Sequence, residues 1–99
     1  MASQLRDYTI EQGRFGVFLA AWRAGVLPLR RRHGFTVHAW AIEEESRFVW
    51  VVSIDGSRDE FEARETAYYA SPERKAIDPD PRQWVVAERL VFVEPAASP

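Results

Sequence analysis

Three residues that alternate along one short segment, Thr36, His38 and Trp40, carry groups suited to binding and proton transfer. An imidazole titrates near neutrality and serves as a general base or as a donor to a carbonyl or carboxylate. An indole offers a flat face on which a ring can stack, and a threonine hydroxyl both donates and accepts. Other candidates are scattered. Asp7 and Thr9 alternate near the start of the chain, Tyr69 precedes the Ser71-Pro72 turn, and Glu88 lies in the last apolar run. His38 is the one candidate catalytic residue, a base for proton removal, and a neutral His38 that only hydrogen-bonds across an interface is the equal alternative. Asp7, Thr9, Thr36, Trp40, Tyr69 and Glu88 are the candidate ligand-binding residues.

Several chemistries lack the residues they need. The chain has no cysteine, so it has no thiolate nucleophile, no disulfide framework and no cysteine-held zinc or iron–sulfur centre. His33 and His38 fall on different elements, with no carboxylate at ligand spacing beside either, so no metal site is expected. Ser46, Ser53, Ser57 and Ser71 stand in no G-x-S-x-G setting, and five glycines are too few for a phosphate-cradling loop. Hydrolases and nucleotide enzymes are disfavoured, and no cofactor is expected.

The element that must position Thr36, His38 and Trp40 is a hairpin from Phe35 to Ile54. If Ile42 pairs with Arg47 across Glu43-Glu44-Glu45-Ser46, one face collects Phe35, Val37, Ala39, Phe48, Trp50, Val52 and Ile54 and is wholly apolar. The other face carries Thr36, His38, Trp40, Ile42, Arg47, Val49, Val51 and Ser53. That face is too hydrophobic for open water, yet it holds hydrogen-bonding groups. It reads as the wall of a buried, semi-polar cavity.

Around the hairpin, Gln4 to Ile10 reads as a strand, and Phe15, Phe18, Leu19, Trp22, Val26 and Leu29 recur at helical spacing. Gly25 and Pro28 predict a kink or an early end at Ala24 to Leu27, and Gly34 predicts a C-terminal cap. Ser57 with Glu60 forms a capping box that opens a second helix to about Tyr69, with Phe61, Glu65 and Tyr68 on one face. Ser71-Pro72-Glu73 starts a short helical turn. A final strand of about twelve residues is predicted from Arg82 to Val93, with Trp84, Val86, Glu88, Leu90 and Phe92 alternating against Val85, Ala87, Arg89, Val91 and Val93. Glu94 to Pro99 reads as a fraying tail.

Alternation alone does not orient the first strand. Placing Tyr8 and Ile10 against the helices, because they are the more apolar pair, turns Asp7 and Thr9 to the cavity and leaves Arg6 near the strand end with its head in water. The inverse would make Arg6 and Tyr8 an anion clamp and proton donor. Glu88 and Arg89 point to opposite faces, so one of them is a charge near the interior. For whichever of the two that is, a buried ion pair with Asp7, Arg6 or Arg47 is one reading and a functional carboxylate is the other. Tyr69 would close over the pocket mouth, Trp22 and Trp50 belong to the core, and His33 reads as a helix-end side chain. The run Arg30-Arg31-Arg32-His33 reads as a solvated helix end.

The order β-α-β-β-α-β predicts an α+β, ferredoxin-like arrangement, two helices over one face of a four-stranded antiparallel sheet. With 99 residues, one domain with a core at about 4–94 is expected, and a chain this short buries only about 60% of the surface its unfolded form exposes. The uncovered sheet face would display Trp40, Val49 and Val51, so a homodimer formed through that face is expected. The long last strand could extend toward a partner, unless its start is set too early. A net charge of −2 gives no general reason to bind nucleic acid. No run reaches the roughly 20 apolar residues of a membrane span and no signal peptide is visible, so a cytoplasmic protein is expected.

Leu5-Arg6-Asp7-Tyr8-Thr9, Trp22 with Val26-Leu27-Pro28-Leu29, His33-Gly34-Phe35, Arg47-Phe48-Val49-Trp50, Phe61-Glu62-Ala63-Arg64 and Tyr68 through Arg74 together resemble a bacterial member of the NIPSNAP family over nearly the whole chain. The resemblance implies the dimeric α+β barrel superfamily, in which two ferredoxin-like sheets close around central cavities. It implies no particular reaction, because the family lacks a shared one. Families of similar shape include cofactor-independent monooxygenases of antibiotic biosynthesis and small isomerases, an analogy of fold alone. The leading expectation is a homodimer that binds a small apolar or aromatic molecule. A cofactor-free monooxygenase or isomerase using His38 and Trp40, and a structural dimer with a filled barrel, are the rivals.

Overall fold

Ile42 pairs with Arg47 and Thr36 with Ser53 in the computed structural model of the protein, so the hairpin has the predicted register. The structure describes residues 1–97. The expected fraying tail falls in part on residues 98 and 99, outside the described residues. The hairpin strands are β2 (Thr36–Ile42) and β3 (Arg47–Ile54), joined by a 3-10 turn at Glu43–Glu45. Ser46 closes that turn at φ 53°, and its hydroxyl donates to the Ile10 carbonyl at 2.8 Å. β1 (Ala2–Ile10) pairs with β3 on one side and with β4 (Val85–Val93) on the other, both antiparallel. The sheet order is β2-β3-β1-β4, an α+β ferredoxin-like arrangement.

The first helix bends where Gly25 and Pro28 predict trouble. α1 (Phe15–Ala21) runs into a π-helical turn at Trp22–Val26 and then α2 (Leu27–Arg32). Pro28 has no amide hydrogen, and the wide turn lets the Leu27 N–H reach the Trp22 carbonyl five residues back. A side chain at Gly25 would place its Cβ 2.8 Å from Ile77 Cγ2, so this turn lies tight against the later loop. Gly34, at φ +85°, ends α2: its N–H bonds the Arg31 carbonyl and that of Phe35 the Arg30 carbonyl.

α3 (Arg58–Ala70) starts as the capping box predicts, the Glu60 N–H donating to Ser57 Oγ at 3.2 Å. α4 (Pro72–Lys75) repeats the device, with the Arg74 N–H on Ser71 Oγ at 3.1 Å. All helices lie on one sheet face. Between them and the sheet, Phe18, Phe48, Trp50, Val52, Ile54, Phe61 and Tyr68 are each 2% exposed or less. Edge-to-face contacts link the aromatics, for example Trp22 against Trp50 with centroids 5.4 Å apart.

The last strand differs from its prediction. Pro81–Trp84 forms a 3-10 turn capped by Asp80, whose carboxylate accepts from the Arg82 N–H at 3.0 Å, so β4 starts at Val85 and spans nine residues, like β1. Among the described residues, β4 pairs along its length with β1 of the same chain. Alternation also breaks at its start: Thr9 pairs with Ala87 but Ile10 with Val85, leaving Val86 bulged out and 60% exposed.

Candidate functional site

The register arranges the helix-free sheet face into transverse rows. Trp40, Val49, Asp7 and Arg89 form one, His38, Val51, Leu5 and Val91 the next, and Thr36, Ser53, Ser3 and Val93 the third. The middle row is apolar except for His38 at its β2 end, and both flanking rows mix polar with apolar groups. Trp40 is 56% exposed, an unusual position for an indole. A concavity of about 390 Å³ opens beside it, with Thr36, His38, Val51, Ser53 and Ser3 among its walls. Ser3 and Ser53 share a hydrogen bond of 2.8 Å on its floor.

Thr36, His38 and Trp40 are therefore brought together as their alternation predicts. Asp7 and Thr9 share the face, as the apolarity of Tyr8 and Ile10 predicts. They stand two strands away from β2, where they line a second hollow of about 200 Å³ with Arg47 and Arg89. Arg47 spans Asp7 with two bonds, Nη2 to Oδ2 at 2.6 Å and Nε to Oδ1 at 3.3 Å. The hydrogen bond and charge of Asp7 raise the Arg47 pKa, so this guanidinium keeps its charge. No carboxylate among the described residues pairs with His38. Nor do the described residues contain a group of three or more His, Asp or Glu placed to hold a metal ion.

Two predicted site residues lie on the opposite face. Glu88 pairs with Tyr8 in register, which turns it to the helix side, where Arg82 Nη2 reaches both its oxygens at 2.9 Å. Arg89 is the charge that takes the open face. Tyr69 does not close over the concavity beside His38. It sits under the helices, accepting from Arg6 Nη2 at 3.1 Å and Arg30 Nη2 at 3.4 Å.

Those contacts belong to a buried network. Arg6 is 2% exposed rather than reaching water, and Arg30 is fully buried rather than a solvated helix end. Both pair with Glu65 of α3, Arg6 at 3.0 Å. Arg30 Cζ also lies 4.0 Å from the Tyr68 ring centroid. Burial opposes the Arg6 charge, but Tyr8, Tyr69 and Glu65 outweigh it and raise its pKa. Burial likewise pushes the Tyr8 and Tyr68 hydroxyls up. Glu65 between Phe61 and Tyr68 was the available signal: a carboxylate inside an apolar stripe requires a buried cation.

No protein-family model and no curated protein matches the sequence. Solved structures do. An uncharacterized NIPSNAP domain protein from Burkholderia xenovorans superimposes with a TM-score of 0.83 at 21% identity, over 98% of this chain and 96% of that one. A NIPSNAP family protein with unknown function from Agrobacterium tumefaciens gives 0.80 at 16% identity, over 96% and 87%. An antibiotic biosynthesis monooxygenase gives 0.71 at 14% identity over the whole of both chains. Over nearly its full length, this chain has the NIPSNAP domain fold.

Proposed function

We propose that the protein is a cytoplasmic homodimer, one NIPSNAP-type domain per subunit, in which two open sheet faces meet and enclose a cavity that binds a small apolar or aromatic molecule. The half-exposed Trp40 beside the concavity carries this reading. An indole left open on a sheet face, in line with Val49 and beside the row of Val51, Leu5 and Val91, favours a covering surface. The concavity of about 390 Å³ is at the small end of ligand pockets, and a facing sheet would close it. Within it, Trp40 stacks the ligand while Thr36 and His38 hydrogen-bond its polar end. The Arg47–Asp7 pair lies toward the other end of the sheet.

The test is light scattering on the purified protein, with native mass spectrometry for any retained ligand. A dimer that releases a small aromatic or apolar compound, and loses it on Trp40→Ala, supports the proposal. A monomer, or a dimer with a dry interface, refutes the binding reading. The second outcome would leave a structural dimer whose side chains fill the barrel.

A cofactor-free enzyme is the second reading, favoured by His38 standing two residues from Trp40 on the same face and by the monooxygenase of the same fold. In it His38 removes a proton from a substrate stacked on Trp40. Once a substrate is in hand, unchanged turnover in His38→Ala excludes that base.

A further inference from the structure

A small chamber lies on the helix side of the sheet, between the π turn, the centre of β3 and the chain that runs from α3 into β4. It gives about 10 Å³ of room for the centre of a water-sized guest, so it holds one small body and nothing larger. Among the described residues, five buried side-chain atoms have no hydrogen-bond partner: Trp22 Nε1, Trp50 Nε1, Arg30 Nε, Arg74 Nε and the Tyr68 hydroxyl. All five residues line this one chamber. Four of the five atoms are N–H groups that donate and cannot accept.

The surplus of donors extends further. The Tyr8 hydroxyl accepts from Arg6 and Arg82, and the Tyr69 hydroxyl from Arg6 and Arg30, so each still has its own proton to give. Burial raises the pKa of the Tyr8 and Tyr68 hydroxyls, further favouring the protonated form they already hold at neutral pH. Charge runs the same way. Arg30, Arg74 and Arg82 line the chamber, and among the described residues no acidic one does. Among the described residues, Arg6, Arg30, Arg74 and Arg82 share only Glu65, Asp80 and Glu88, with Glu65 serving two of them. A water would have to donate as well as accept, and this wall has few acceptors to offer it.

We propose that the chamber is a binding site for one compact monovalent anion of halide size, held by the Arg30 and Arg74 Nε–H groups and the two indole N–H groups. The site is independent of the open sheet face and of any dimer. The π turn, which supplies Trp22 and Val26 to the wall, is part of its construction.

The experiment uses the full chain. Crystals grown in bromide are measured at the bromine absorption edge, and melting temperature is tracked against chloride and against gluconate at matched ionic strength. The expected result is an anomalous peak in the chamber, with a melting temperature that climbs with the logarithm of chloride but not of gluconate. Arg74→Gln is expected to abolish that chloride slope. Asp80→Asn, which breaks the same ion pair but leaves the wall donors in place, is expected to keep it. If Arg74→Gln does not fold, the bromide map and the chloride slope of the unaltered protein decide together. No peak overturns the proposal and leaves water, or N–H groups seated on ring faces, as the account of the chamber. A peak without a halide-specific slope is an adventitious ion only and overturns it as well.

Discussion

Arg74 grips Asp80 with both terminal nitrogens, Nη1 to Oδ2 at 3.2 Å and Nη2 to Oδ1 at 3.1 Å. This pair ties α4 to the turn that launches β4, and Asp80 also caps that turn through the Arg82 N–H. One carboxylate thereby secures the segment that fixes where the last strand begins.

Stability should respond to acid through this pair. Burial alone would push the Asp80 carboxyl up, but the Arg74 hydrogen bond, the Arg82 N–H and the charges of both arginines outweigh it, and its pKa is lowered. A carboxyl depressed in the folded state stabilises fully above its unfolded value of about 3.9, and that contribution is lost as pH falls through the folded value. Asp80→Asn is expected to melt below the unaltered protein at neutral pH, with the gap narrowing in strong acid. A constant gap across the acid limb would contradict this.

Glu65→Gln removes the carboxylate from two buried guanidinium groups. Loss of about 3 kcal/mol in denaturant unfolding is expected, because an uncompensated buried charge remains. Glu62→Gln, on the exposed side of the same helix, is the control and should cost under about 0.5 kcal/mol.

Gly34→Ala should cost about 1–2 kcal/mol, since φ +85° is left-handed backbone and the new methyl would meet the Arg64 guanidinium. Thermal denaturation measures it. Gly16→Ala, inside α1 with open space around it, is expected to be neutral or stabilising.

Val51→Asp puts a charge in the middle of the apolar row. If the open faces meet, sedimentation should find a monomer or an aggregate in place of the dimer. A soluble dimer of unaltered stability would mean that another surface associates.

The fold was legible because hairpin and helix signals are local. The four residues from Glu43 to Ser46 set the register of β2 on β3, and that register fixes which residues flank His38. The relative apolarity of Tyr8 and Ile10 oriented β1 correctly. What escaped depended on partners far along the chain. Whether Glu88 or Arg89 faces the open side is set by pairing with Tyr8 and Asp7, and the Val86 bulge resets the count. Arg30 was hidden inside a run of like charges, although it lies four residues past Val26, on the buried stripe. Tyr69 comes directly after Tyr68, and only the packed position of α3 shows that its hydroxyl serves arginines rather than an open pocket.

The π turn also bears on which changes of length this helix can absorb. A turn of five residues in a helix of 3.6 per turn takes up about one extra residue without altering the phase of the helical turns beyond it. Shortening by one residue between Trp22 and Val26 would leave Arg30 still aimed at Glu65. The same deletion between Leu27 and Leu29 would swing the end of the helix by about 100° and put Arg31 in its place. Relatives that differ by a single residue in this helix should carry the difference in the π turn and nowhere beyond it.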